Sequence, residues 1–194
     1  MRKTFISLLL IGFSLNNFAQ EIPEAKTTNK LQEVVTLEPG KQAEGDTSSP
    51  KPLVKDEVLK RAMNFIRLEN AKYAKTNSVN VGTKTECLVT FKYKPKELNP
   101  KSDVEGTYSM HLSVEAKDGK YRYTITKINH TAKNSEFTGG DVYSEVPSCG
   151  SMKISTPMWK QMKSEALKDA TVLISDLKEG MKMPSDVNPE KDEW

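Results

Sequence analysis

The chain has 194 residues, with 29 Lys and Arg against 26 Asp and Glu, two His and two Cys. A formal charge of only +3 supplies no overall field for a polyanion. No P-loop, dinucleotide fingerprint, H-E-x-x-H, paired C-x-x-C or G-x-S-x-G elbow occurs, so no cofactor or metal is expected and no catalytic role can be assigned from a motif.

Met1-Arg2-Lys3, the apolar run Phe5–Phe13 and the polar Asn16–Gln20 follow the order of a secretory export signal, with cleavage expected after Ala19. The apolar run is shorter than the roughly 20 residues a membrane-crossing helix needs. Residues 1–19 are therefore read as a signal peptide, leaving no transmembrane anchor and a periplasmic or extracellular chain. Residues 20–52, containing EPGKQAEGDTSSPKP, lack a sustained apolar period and are expected to form a flexible linker. A single α+β domain is expected over 53–182, with a loose tail at 183–194.

Within that domain, Val58, Ala62, Phe65 and Ile66 recur at helical spacing, predicting a helix from Lys55 to about Lys75. Cys87, Val89, Phe91 and Tyr93 then alternate with Leu88, Thr90 and Lys92, which is strand spacing. After a proline-broken loop the alternation returns, with Tyr108, Met110, Leu112, Val114 and Ala116 on a dry side and Ser109, His111, Ser113 and Glu115 on a wet one. Asp118-Gly119 is a strong hairpin signal, and Tyr121, Tyr123 and Ile125 alternate with Arg122, Thr124 and Thr126 beyond it. Residues 131–155 read as a long loop in which DVYSEV could form a short strand; connections of that length are often functional or mobile. Thr156-Pro157 opens a final helix ending near Gly180, with Trp159, Met162, Ala166, Ala170, Leu173, Ile174 and Leu177 as its core stripe.

The central segment, Leu53 to His130, carries 15 basic and 9 acidic residues. It is either a set of solvated lysine-rich faces or an anion-binding patch. The two cysteines suit a Cys87–Cys149 disulfide in an oxidising compartment, the alternative being a buried free thiol at Cys87. Neither His111 nor His130 has a partner at ligand or dyad spacing, so both are expected on the surface.

The stretch GTYSMHLSVEAKDGKYRYTITKINH resembles the DUF4468 family of exported Bacteroidetes proteins, a domain of unknown function with a TBP-like fold. Lys117-Asp118-Gly119-Lys120-Tyr121-Arg122-Tyr123 and the following Thr124-Ile125-Thr126 carry the likeness, which covers about Val54 to His130. It implies a twisted antiparallel sheet of three to five strands with an N-terminal and a long C-terminal helix on one face, and it implies no catalytic residues. A TBP-like sheet grips DNA through a basic, apolar-wedged face, but an exported and nearly neutral chain argues against nucleic acid.

The functional expectation is a non-enzymatic envelope domain that binds a protein, peptide or small ligand through the wet sheet face and the 131–155 loop. Tyr143, Arg122 and His111 are its candidate residues. The rival expectations are a hydrolase or transferase using Cys149 as nucleophile, and a purely structural envelope protein.

Overall fold

The computed structural model describes residues 29–38, 53–95 and 103–185. The expected signal peptide, most of the linker and the end of the tail lie outside the described residues. Six strands, β1 (Lys30–Thr36), β2 (Tyr73–Val81), β3 (Lys84–Tyr93), β4 (Gly106–Lys117), β5 (Lys120–Ala132) and β6 (Gly140–Asp141), combine with helices α1 (Lys55–Arg67) and α2 (Thr156–Gly180). The order across the antiparallel sheet is β1-β5-β4-β3-β2, with β6 pairing the end of β5. The expected α+β architecture is therefore present, with one more strand than the upper bound of five.

Alternation sorts the strands into a dry and a wet side. Cys87, Val89, Phe91 and Tyr93 of β3, Tyr108 to Ala116 of β4 at every second residue, and Tyr121, Tyr123 and Ile125 of β5 are all buried. Beyond Ile125 the parity changes, because a bulge on β5 opposite Ser109–His111 inserts an extra residue, and Lys127 takes a left-handed φ of 53°. That step keeps Ile128, His130 and Ala132 facing the core instead of solvent.

Both helices cover this dry side. α1 buries Val58, Ala62, Phe65 and Ile66, and α2 buries all seven residues of its expected stripe. α2 is also tied to inward side chains at three places. Tyr108 donates its hydroxyl to the Met162 carbonyl at 3.0 Å, Tyr73 donates to Asp176 at 3.1 Å, and Lys178 pairs with Glu33 at 2.8 Å.

Four expectations are corrected. The linker expected over 20–52 contains β1, which adds to the edge of β5 because Leu31 is buried there and Glu33 accepts from the Tyr123 hydroxyl at 2.7 Å. The first helix stops at Arg67, eight residues early. Asn70 accepts from the Lys72 N–H in a local turn, and Tyr73 starts a strand in ring contact with Phe91. That strand, β2, has no counterpart in the sequence reading. The tail expected from residue 183 is anchored at its start, where Ser185 donates its N–H and hydroxyl to Glu57 at 3.0 and 2.5 Å.

The fourth correction concerns the cysteines, which are both free. Cys87 is buried on the dry side of β3, and burial pushes its thiol up to about 11. It is a small core side chain held as a protonated thiol.

Candidate functional site

The long connection after β5 is a folded cap. His130 is fully buried and makes two hydrogen bonds that fix its tautomer: Nε2 donates to the Val104 carbonyl at 3.0 Å, and Nδ1 accepts the Gly139 N–H at 3.0 Å. Only neutral imidazole can serve both. Burial lowers its pKa. The expectation of a surface histidine is thus overturned at His130, because Tyr93 and Tyr108 enclose its ring. From Gly139 the chain makes β6, whose continuation donates the Val142 N–H to Ile128. The Ser144 carbonyl then accepts from the Trp159 indole at 3.0 Å and from Lys163 at 3.1 Å. DVYSEV is consequently strand only at Asp141, the second residue of β6, and turns from Val142 onward.

These contacts decide the position of Tyr143. It is half-buried, packs on the core and has a buried hydroxyl without a partner among the described residues. The structure does not bring it to the wet sheet face. The exposed apolar groups of this cap are Val146 and Met152.

Arg122 and His111 do share the wet face. Arg122 is exposed and ion-paired to Glu115, its directly opposite neighbour on β4. His111 is half-exposed opposite Thr126, with Nε2 3.8 Å from the Glu86 carboxylate. Four residues separate Glu115 from His111, about 13 Å along the strand, so the two candidates lie on one surface without forming one cluster. Lys84 pairs with Glu86 and holds that carboxyl below its ordinary value.

In register, Val34, Arg122, Glu115, Lys84 and Val81 make one row across all five main strands, and Gln32, Thr124, Ser113, Glu86 and Val79 make the next. Val34, Val79 and Val81 are each more than half exposed. Every tyrosine and phenylalanine of the five main strands is buried, so this surface presents hydroxyls, charges, aliphatic side chains and the His111 imidazole, but no phenylalanine or tyrosine ring on which a base or sugar could stack. Sequence reasoning missed the valines because two of them lie on the unforeseen β2 and one on the unforeseen β1.

Catalytic arrangements are not assembled among the described residues. No group of three His, Cys, Asp or Glu side chains converges as a metal site. Cys149 is half-buried with its Sγ 3.9 Å from the Gly150 carbonyl. His130 already uses both ring nitrogens, and His111 sits beside Glu86 on the outer face. One carboxyl is unusual: burial, with Glu165 nearby, pushes Asp169 on α2 up to about 6. A small cleft lies between α1 and the end of α2, lined by Arg61, Phe65, Gly180 and Pro184. Arg61 is not free to bind there, since it pairs with Glu57 and donates to the Met181 carbonyl.

No family model and no curated protein matches the sequence. Among solved structures, the chain is similar to a DUF4468 family protein from Bacteroides ovatus, at 12% identity and a TM-score of 0.49 over 82% of this chain and 89% of that one. It is likewise similar to a TBP-like protein from Parabacteroides distasonis, at 12% identity and a TM-score of 0.48 over 80% of this chain and 93% of that one.

Proposed function

We propose that the chain is an exported, non-catalytic domain that engages a protein partner through the outer face of its sheet. One observation carries the reading. Both helices stack on the same face, so the five-stranded surface opposite them is uncovered by any described element, and its side chains are not needed to fill the core. Rows of mixed polar groups flanked by exposed valines resemble the polar and apolar mixture of a non-obligate protein interface. The basic, apolar and small-residue order of residues 1–20 supports export, and no described helix is long and apolar enough to cross a membrane.

The test is site-specific photo-crosslinking in the producing cells. A photoreactive side chain at Arg122 or Thr124 is expected to give a discrete adduct that excess purified domain competes away. The same group at Lys160 or Lys168, on the exposed side of α2, is expected to give none. Equal labelling from both sides, or none from the sheet, would sink the proposal.

A further inference from the structure

We infer that the outer sheet face takes an acidic polypeptide segment, a reading that rests on the proposed function and names its partner's chemistry. Six cations, Lys30, Lys84, Lys92, Lys117, Lys120 and Arg122, alternate outward on β1, β3, β4 and β5, and all are exposed. The five main strands place only two carboxylates, Glu86 and Glu115, on that surface, engaged by Lys84 and Arg122 respectively, and β6 adds Asp141 beside Asn129. Lys30, Lys92, Lys117 and Lys120 have no ion pair among the described residues. Of the net +6 of the central sequence, this face carries +3, five cations against two carboxylates, and Lys55–Lys75 carries another +3.

Lys117 and Lys120 sharpen the point. They are direct cross-strand partners closing the Asp118-Gly119 turn, and like charges directly opposite one another destabilise a hairpin. The turn's own carboxylate, Asp118, is bonded to the Lys55 N–H, and a broken local rule of this kind is expected at functional or strained sites. An anion laid across the turn would relieve that repulsion.

Geometry selects the kind of anion. Lys92 is opposite Thr107 at one end of β4, and Lys117 is at the other end, about 34 Å away. The cations are thus spread along the length of the sheet, which suits an extended chain and not a small ion. A nucleic acid fits less well, since every phenylalanine and tyrosine of the main strands is buried, leaving His111 as the one outward ring there, and Glu86 and Glu115 interrupt the middle of the face. A polypeptide can place acidic residues over the lysines and neutral or basic ones over the two glutamates.

The experiment uses the full chain and fluorescein-labelled poly-glutamate of about 20 residues, followed by anisotropy at about 0.05 and 0.2 M salt. Binding is expected at the lower salt and should weaken severalfold at the higher. Lys117→Glu with Lys120→Glu should weaken it roughly tenfold, whereas Lys160→Glu with Lys168→Glu should leave it unchanged. Circular dichroism checks the fold of each variant, and Lys117→Gln with Lys120→Gln is the milder version if the reversal unfolds. Absence of binding, or equal loss from the α2 variants, would overturn the inference. So would tighter binding of a duplex of matched charge. If poly-glutamate fails while crosslinks from Arg122 and Thr124 persist, only the acidic chemistry falls. If the crosslinks fail as well, the binding face itself falls.

Discussion

His130 and Gly139 hold the cap through one hydrogen bond, and the space around Gly139 explains why the residue there has no side chain. A Cβ at Gly139 would lie 2.4 Å from the Trp159 ring, and both the ring and its hydrogen bond to Ser144 are fixed. Gly139→Ala should destabilise the protein by about 2 kcal/mol through overpacking, read as a lower denaturant midpoint with an unchanged slope. The cysteines give a second prediction at this scale. Two thiols should alkylate in the denatured protein without reductant, and in the native protein Cys149 should react well before Cys87, which is buried and held as the thiol. A mass unshifted by alkylation after denaturation would restore the disulfide.

At the scale of elements, the start of α1 shows how a distant residue completes a local structure. Val54 occupies the cap position and supplies no side-chain hydrogen bond. Instead Asp118, in the β4–β5 turn, accepts the Lys55 N–H at 2.7 Å. The next residue, Gly119, at φ 67°, donates its N–H to the Leu53 carbonyl and accepts from the Leu37 N–H. The turn thereby fixes the end of β1 and the beginning of α1 together. Asp118→Ala should cost about 1 kcal/mol, the usual loss for a removed cap, and Asp118→Asn should recover most of it. An alanine variant as stable as the parent would show that the turn holds α1 by backbone contacts alone. This same neighbourhood marks what was legible in the sequence. The Asp-Gly turn, the alternation on both sides of it and the α2 stripe are short-range patterns, and each appears in the fold. The cap on α1 joins residues 63 positions apart, and β1 is a single buried leucine away from polar linker composition, so no local pattern announces either. β2 was obscured for another reason: its second half is exposed on both sides, and a bulge at Asn77, with φ 53°, breaks its alternation. Of the candidate site, the outward direction of Arg122 and His111 followed from period two. The packing of Tyr143 on the core is a tertiary contact and could not follow from its glycine-rich surroundings.

For the whole molecule, a core on one side of a sheet concentrates the titrating groups that decide stability between the sheet and its helices. Glu33, bonded to Tyr123 and Lys178, and Glu57, bonded to Ser185 and Arg61, are held below their ordinary values. Their contribution is present above the unfolded carboxyl range and is lost as pH falls through the folded values. His130 acts earlier: the unfolded chain takes up its proton near 6.5 while burial resists it in the fold, so its stability contribution declines as pH drops below that point. Asp169 has the opposite sign. Its folded carboxyl takes a proton at about 6 and its unfolded one nearer 3.8, so protonation between those values favours the fold, and its ionised form is a burden at neutral pH. Asp169→Asn should therefore stabilise the protein at pH 7.5 by about 1 kcal/mol, a figure reduced for the half-exposed position of the carboxyl. The gain should shrink as pH falls through about 6 and approach zero only below about 3.8, where the parent carboxyl is protonated in both states. Melting curves of both proteins across that range give the comparison. A gain independent of pH would mean that helix propensity, and not the carboxylate's charge beside Glu165, sets the difference; a loss at pH 7.5 would show that the ionised group is compensated in the fold.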